Sequence, residues 1–275
     1  MTSLERAERP AAWAEPAAPV RFVEDAWTIA EGEMRKLRHD PTEMATRAVQ
    51  PILWLVVFGQ VMAQVRAIPT GNLGYIDFLA PGILAQSALF AAIFFGIAAI
   101  WERDLGVLHK YMVTPASRAA LVTGKALAGG LRSLIQAAMV YAVAIVMGVH
   151  LRFEPLALIG VAGVVVLGSA TFATFSLVIA CLVRTRERFM GIGQILTMPL
   201  FFASSAVYPI SIMPDWLKVL AEVNPLTYQV DALRELMLQG STLSAESIGL
   251  DFGVLTASTL VLIAIASRLY PRLAQ

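Results

Sequence analysis

WERDLGVLHKYMVTPASRAALVTGK, residues Trp101–Lys125, is a polar and charged segment between two long apolar runs. The flanking runs, Phe78–Ile100 and Ala126–Val149, each exceed the roughly 20 apolar residues that a helix needs to cross a bilayer. Both ends of the segment therefore lie at a membrane surface. Basic residues accumulate in cytoplasmic loops, which places the segment on the cytoplasmic side. Its basic residues are Arg103, Lys110, Arg118 and Lys125.

The same segment has the pattern of a short helix. Leu105, Leu108 and Met112 recur at helical spacing, and Pro115 ends the pattern. The spacing predicts an amphipathic helix below the membrane domain, placed to contact a cytosolic partner. A solvated connector without a partner fits the same spacing.

The composition is that of a membrane protein. Of the 275 residues, 57% are hydrophobic and 15% are charged, whereas soluble domains have about 45–50% and about 25%. The net charge of +1 gives no reason to expect a nucleic-acid partner. The single cysteine cannot form an internal disulfide, and the three histidines fall in predicted loops or at segment ends. We therefore expect no metal site.

Loop charges set the predicted topology. Most basic residues precede the first span, follow the last one, or lie in the second and fourth connections. We therefore expect an all-α integral membrane protein with about six transmembrane helices and both termini in the cytoplasm. The predicted spans are Val49–Val65, Phe78–Ile100, Ala126–Val149, Leu156–Val183, Phe189–Val207 and Gly249–Leu269.

The chain begins with two segments of different character. Residues 1–20 are rich in Ala, Pro and Glu and are predicted to be disordered. In residues 21–47, apolar side chains including Phe22, Trp27 and Met34 can share one helical face, which favours an interfacial helix on the cytoplasmic leaflet. The transmembrane domain then covers residues 48–275.

An outer segment, residues 209–240, is predicted to form a pair of short helices. Asn224 is a favoured N-cap and Pro225 a favoured first helical residue, so a helix should start there. Asp231 precedes Arg234 by three residues, which allows an ion pair. Neither helix is long enough to span, so we expect a re-entrant hairpin at the outer leaflet. A folded extracellular cap without a role in transport is the alternative.

Catalytic motifs are missing from the sequence. It has no G-x-x-x-x-G-K-[ST] loop for ATP and no H-E-x-x-H motif for zinc. No histidine lies at depth in a predicted span to serve a nucleophilic serine. We therefore predict no catalytic residue and no cofactor bound by this chain.

Polar side chains occur inside the predicted spans. Such groups usually make helix–helix hydrogen bonds, and lining of a transport pathway is the alternative. Arg132 is a strong charge within the third predicted span; it could snorkel to the cytoplasmic surface, or face a water-filled cavity or an acidic partner. The candidate pathway residues are Arg132, Gln136, Gln194, Thr197, Ser204 and Ser205.

Two stretches resemble one known family. WERDLGVLHKYMVTPASR, residues 101–118, is similar to the first cytoplasmic signature of ABC-2 type permeases, the membrane subunits of ABC exporters. SSAVYPISIMPDWLKVLAEVNPLTYQVDALR, residues 204–234, is similar to their outer hairpin signature. The likeness extends over nearly the whole chain after about residue 20 and is closest to the daunorubicin-resistance and nodulation-factor branch. Val107 stands where many relatives carry Thr.

The resemblance implies roles for particular residues. A coupling segment, residues 102–118, would contact a separate ATPase, which binds ATP and Mg. Its candidate residues are Glu102, Asp104, Gly106, Leu108, Tyr111 and Pro115. The outer gate would be formed by residues of the hairpin. These are Pro209, Pro214, Asn224, Pro225, Tyr228, Asp231 and Arg234.

The resemblance also implies a function. The chain would be the permease subunit of an ATP-driven exporter in the plasma membrane of a bacterium, as in multidrug export and antibiotic resistance. It would work with two ATPase subunits and with a second permease chain, as a homodimer or a heterodimer, among membrane lipids. A neutral interior favours an amphipathic drug, a lipid or a lipid-linked glycan as substrate. The alternative is a membrane anchor or regulatory subunit without its own pathway.

Overall fold

The computed structural model describes residues 18–37, 49–65, 68–71, 73–108, 114, 116–183, 185–240 and 245–273. Within these ranges the chain is nearly all helical, and strand-like pairing is limited to one isolated bridge between Leu151 and Leu238. The helices are α1 (Ala18–Leu37), α2 (Val49–Val65), α3 (Tyr75–Asp104), α4 (Arg118–Val146), α5 (Pro155–Leu182), α6 (Arg186–Phe202), α7 (Asp215–Val223), α8 (Pro225–Met237) and α9 (Ala245–Leu273).

Four of these helices are long and apolar enough to cross a membrane: α3, α4, α5 and α9. Helices α2 and α6 have 17 residues each, which gives about 26 Å of length against a hydrocarbon core of about 30 Å. Helix α2 also contains a π turn at Trp54–Phe58, a wider turn than that of an α-helix. Four candidate spans thus coincide with four of the six predicted ones, and the other two predicted positions hold shorter helices.

Helix α5 is the centre of the bundle, since it contacts α3, α4, α8 and α9. Small residues let its neighbours approach closely. A Cβ atom added at Gly130 of α4 would lie 2.7 Å from the carbonyl oxygen of Val166, and one at Gly96 of α3 would lie 2.3 Å from Oγ of Ser176. That Oγ also accepts from the Gly96 amide at 3.1 Å. Direct backbone contacts therefore fix α3 and α4 on α5.

The helix starts follow capping rules. The side chain of Ser117 accepts from the Ala120 amide at the start of α4, and Thr185 caps α6 in the same way. Asn224 accepts from the Leu226 amide at 3.0 Å, with Pro225 in the first turn of α8. The predicted N-cap at Asn224 is thus confirmed.

The segment between α3 and α4 differs from its prediction. Helix α3 continues through Trp101 to Asp104, because the residues between Gly96 and Gly106 include no glycine or proline. Gly106, with a φ of +71°, lies in the turn that follows the helix. Helix α4 begins at Arg118, so Lys125 is inside it and not in a loop. Leu105 and Gly106 form a turn, Val107 and Leu108 are helical again, and residues 109–113 and 115 lie outside the described residues, so the amphipathic helix predicted from Leu105, Leu108 and Met112 stays a prediction.

The N-terminal helix also has different bounds from those predicted. Helix α1 starts at Ala18, three residues inside the lead predicted to be disordered, and its described part ends at Leu37. Residues 1–17 and 38–48 lie outside the described residues. The buried face of α1 carries Ala26, Ala30 and Glu33, whereas Trp27 is exposed.

Candidate functional site: a buried ionic chain and an outer hairpin

Four charged side chains from three helices meet at the start of α4. Lys125 Nζ bonds the Glu102 carboxylate and lies 3.9 Å from Oε1 of Glu33. Arg132 Nη2 lies 3.2 Å from Oε2 of Glu33 and 3.0 Å from its carbonyl oxygen. The charges therefore alternate in the order Glu102, Lys125, Glu33, Arg132, and we call these four residues the ionic chain.

The ionic chain is largely withdrawn from water. The Lys125 side chain is 4% exposed and that of Glu33 is 7% exposed. Breaking a buried ion pair by removing one partner typically costs about 3–5 kcal/mol, because the other charge stays buried without compensation. Each member of the ionic chain therefore depends on its neighbours.

Helix α1 packs lengthwise against the first half of α4, a contact that the sequence did not reveal. A Cβ atom added at Gly124 would lie 2.5 Å from the Ala26 carbonyl oxygen. Eight residues further along α4, Arg132 meets Glu33 of α1, so the two helices run in the same direction. The placement of α1 on the cytoplasmic leaflet stays a prediction.

Arg132 has both an acidic partner and an aromatic one. Besides Glu33, its guanidinium lies over the ring of Phe95 at 5.6 Å from the ring centroid. Among the alternatives left open by the sequence, the structure favours an acidic partner, and this partner belongs to the same chain. Arg132 stays a predicted pathway residue, and its contacts within the chain are with Glu33 and Phe95.

Asp104 ties the end of α3 to the start of α6. Its carboxylate accepts from Arg103 at 2.9 Å and lies 2.7 Å from Arg186. The Arg186 guanidinium also lies over the ring of Trp101, at 4.5 Å. The charge of Asp104 is therefore already paired within the chain.

The coupling candidates divide into exposed and buried residues. Leu105 is 72% exposed and follows the end of α3, next to Gly106. Leu108 has no exposed area and packs in the inner apolar cluster with Ile100, Leu121 and Tyr270. Direct contact of Leu108 with a partner is therefore excluded in this arrangement, because its surface is already covered. Tyr111 and Pro115 lie outside the described residues.

The outer hairpin is anchored at its apex, Asn224. The side-chain amide donates to the carbonyl oxygens of Leu200 and Ala203, each at 2.7 Å. Those two carbonyls end α6, so one side chain both caps α8 and holds α6. Tyr228 links the two helices of the hairpin, since its hydroxyl donates to the Glu222 carbonyl at 2.6 Å.

Helix α8 of the hairpin packs along α5. Leu236 of α8 packs on Gly160, whereas Gln229 packs on Gly168. Residue numbers increase along α8 while those of its contacts decrease along α5, so α8 is antiparallel to α5. Asn224 precedes Gln229 by five residues, or about 8 Å of helix, which places the apex beyond the middle of α5.

Asp231 and Arg234 form the predicted ion pair, at 2.9 Å. The Ser205 hydroxyl donates to Asp231 at 2.7 Å, and Arg234 donates to the Ser205 carbonyl at 2.7 Å. Arg234 also lies 4.0 Å from the ring centroid of Phe78.

Two of the hairpin prolines, Pro209 and Pro214, come before its helical segments, whereas Pro225 begins α8. Pro209 precedes a 3-10 turn at Ile210–Ile212, and Pro214 is the residue before α7. The C-terminal end of α8 contacts the connection between α4 and α5. There the backbone amide of Gln239 donates to the His150 carbonyl at 2.9 Å.

The remaining pathway candidates are not brought together. Thr197 donates to the Gly193 carbonyl within α6, and Ser204 donates to Phe201 in the turn after it. Ser204 and Ser205 follow α6 because that helix ends at Phe202 and not at the predicted Val207. Gln136 is buried in α4, and Gln194 is exposed on α6. Ser205 makes a bond to another helix, at Asp231 of α8, as the first alternative expects, whereas the bonds of Thr197 and Ser204 are to carbonyl groups one turn earlier.

Two groups important for the inner site were missed from the sequence. Glu33 follows Ala26 and Ala30 on the buried face of α1, and that spacing was the available signal. Lys125 was assigned to a loop because of its charge, although Ser117 in a cap position indicates a helix from Arg118.

Comparisons with known proteins agree on one family. A family model described as "ABC-2 type transporter" matches residues 24–238. The putative transport permease ycf38 of Cyanophora paradoxa is 28% identical over 240 residues, which cover 82% of this chain and 79% of the relative.

Relatives with drug-resistance and nodulation names are also similar. The daunorubicin resistance ABC transporter permease protein DrrB1 of Streptomyces coeruleorubidus is 23% identical, over 74% of this chain and 71% of its own. Nodulation protein J of Rhizobium leguminosarum bv. trifolii is 26% identical, over 69% of this chain and 71% of its own. Because the family model covers more than half of the sequence, this chain belongs to the ABC-2 type transporter family.

Proposed function

We propose that the chain is the permease subunit of an ATP-driven exporter that moves an amphipathic drug, a lipid or a lipid-linked glycan out of a bacterial cell. The ATPase is a separate chain present in two copies, and it binds ATP and Mg. The family membership supports an ATPase partner, and the missing nucleotide-binding loop makes one necessary for ATP-driven transport.

The contact with the ATPase is proposed at the turn after α3. The supporting observation is the exposure of Leu105 at a positive-φ glycine, Gly106, directly beyond the ionic chain. An exposed leucine on a charged, cytoplasmic surface is the type of residue that fits a groove on a partner. Glu102, Asp104 and Leu108 support this turn from within the chain.

Both termini are proposed to be cytoplasmic, with six spans. Helices α2 and α6 are the two short ones, and their length is within the lower part of the range for a span. Helix α1, which packs lengthwise along α4, is placed at the cytoplasmic end of that helix with Trp27 toward the headgroups, where tryptophan is favoured. Helices α7 and α8 form the re-entrant hairpin, and the depth of Asn224 beside α5 supports this placement.

A second permease chain is proposed to cover α2 and α6. Both helices expose glutamines, Gln60, Gln64 and Gln194, next to apolar residues such as Val57 and Ile195. Lipid tails cannot satisfy amide groups, whereas a neighbouring chain or a polar pathway can. The substrate would pass between the two chains, which form a homodimer or a heterodimer with a related chain.

The substrate class is supported by the relatives' names. Daunorubicin and doxorubicin resistance occur among them, and nodulation protein J is another. The outward direction follows from resistance, which requires removal of a compound from the cell. We place this chain with exporters of amphipathic molecules on that basis.

Reconstitution tests the proposal. The chain is purified with an ABC ATPase that binds it and placed in vesicles with fluorescent daunorubicin or a labelled lipid. We expect ATP-dependent and vanadate-sensitive movement of the probe. An ATPase that is retained and active without moving any probe would instead favour a membrane anchor or regulatory subunit.

A further inference from the structure

We infer that Glu33 and Lys125 are positioning residues that hold α1 and the coupling segment in one register, so that the two move as a unit. The consequence for transport rests on the proposed function. The contacts that carry the inference lie within a single chain and can be tested without a partner.

Each inner member of the ionic chain has two opposite charges beside it. Lys125 lies between the carboxylates of Glu102 and Glu33, and Glu33 lies between Lys125 and Arg132. Glu102 is three residues before the exposed Leu105. A displacement of the α3 end relative to α1 therefore separates charges that are buried and cannot be compensated by water.

Close packing occurs at the same place. Gly124 is adjacent to Lys125, and a Cβ atom there would overlap the backbone of α1 at Ala26 and the side chain of Ile29. Ala30, one turn before Glu33, has no exposed area. Helix α1 thus meets α4 without room for sliding, and the ionic chain joins this contact to the end of α3.

A role in fixing the position of α1 relative to the coupling segment explains the ionic chain better than stability alone. Desolvation offsets much of the attraction in a buried ion pair, so such pairs are weak evidence of net stabilisation, whereas a polar contact in an apolar setting can specify one arrangement. The exposed pair Glu31–Arg35, on the same helix at 2.7 Å, gives the contrast. Both of its members belong to α1, one helical turn apart.

The first experiment uses the chain alone. Cys181, the single cysteine, is replaced by alanine, and spin labels are attached at Val23→Cys and Leu105→Cys, two exposed positions. Pulsed electron resonance in lipid nanodiscs then gives the distance distribution between α1 and the coupling segment. We expect one narrow distribution, which broadens in Glu33→Gln and stays narrow in the matched control Glu31→Gln. A narrow, unshifted distribution in Glu33→Gln overturns the inference.

The second experiment uses the complex with the ATPase and measures substrate moved per ATP hydrolysed. Glu33→Gln should lower this ratio about fivefold or more, and Glu33→Asp, which keeps the charge, should restore most of it. A purely structural role would reduce the amount of folded complex but leave the ratio unchanged. An unchanged ratio in folded Glu33→Gln complex therefore overturns the role in coupling.

A charge swap tests whether the four charges act together. In Glu102→Lys/Lys125→Glu the pair is restored, but Glu33 then faces a second carboxylate. Adding Glu33→Gln should raise the ratio in this background, although it lowers the ratio in the parent. A full rescue by the swap alone would contradict the inference. If no ATPase binds, the proposed function fails, while the label distances still decide the register.

Discussion

The guanidinium of Arg234 donates a hydrogen bond to the backbone carbonyl of Ser205 at 2.7 Å, which joins α8 to the turn that follows α6. The same side chain pairs with Asp231, which in turn accepts from the Ser205 hydroxyl. Ser205, Asp231 and Arg234 thus form a ring of three contacts, and this ring ties the hairpin to the turn after α6.

Removal of Arg234 should destabilise the chain. In Arg234→Met, Asp231 and the Ser205 carbonyl lose a partner, and we expect a loss of about 2–3 kcal/mol, the lower end for a buried pair because Asp231 is partly exposed. Thermal unfolding in detergent measures it. Lys218→Met is the matched control, since Lys218 and Asp215 form an exposed pair of the same spacing that should contribute about 0–1 kcal/mol. Equal effects of the two variants would contradict this account.

Loss of the Asn224 side chain should destabilise the chain more than loss of an ordinary helix cap. Asn224→Ala removes the cap of α8 and two donations to the end of α6. A lost cap alone costs about 1 kcal/mol, and the two carbonyls left without donors add to it. Ser117→Ala, which removes the cap of α4 only, is the control. We expect the unfolding temperature to fall further for Asn224→Ala, and a smaller fall would show that the apex contacts contribute little.

Gly82 should not tolerate a methyl group. A Cβ atom there would lie 2.2 Å from the Ala206 carbonyl oxygen, so Gly82→Ala must push the turn after α6 away from α3. Overpacking of this kind typically costs about 1–3 kcal/mol. Gly191 in α6 has nothing within 4 Å of such a Cβ, and Gly191→Ala should be neutral or stabilise by up to about 1 kcal/mol. Denaturant unfolding followed by tryptophan fluorescence compares the two.

Substitutions at Leu105 and Leu108 should affect different properties, ATPase binding for Leu105 and stability of the chain for Leu108. Leu105→Ala removes an exposed side chain and should leave unfolding unchanged while it weakens binding of the ATPase. Leu108→Ala opens a cavity in the inner cluster and should cost about 2–5 kcal/mol. Binding is measured by interferometry on nanodiscs, and unfolding by a thermal scan. If Leu105→Ala binds normally, the contact surface lies elsewhere.

The sequence was sufficient for features that depend on local patterns. Apolar runs located α3, α4, α5 and α9, and Asn224-Pro225 located the start of α8. The ion pair of Asp231 with Arg234 followed from helical spacing. Each of these rests on residues within about one turn or one span of each other, so no knowledge of distant contacts was needed.

Other features depend on residues that are distant in sequence. Glu33 and Arg132 are 99 residues apart, and no local pattern pairs them. Charge alone placed Lys125 in a loop, because burial of a lysine becomes acceptable only when its acidic partners are known. Trp101–Asp104 likewise looked like a loop, although Glu and Arg are good helix formers and the glycine that breaks the helix comes only at Gly106.

The π turn in α2 has a consequence for the evolution of this chain. A wide turn of this type holds one residue more than an α turn, so a deletion of one residue there would close it into a regular helix without breaking α2. Positions on either side of the turn would keep their orientation, because the turn itself absorbs the extra residue. Gln60 and Gln64 would therefore stay on the side of α2 that they now occupy, whereas the same deletion elsewhere in the helix would rotate every later position by about 100°.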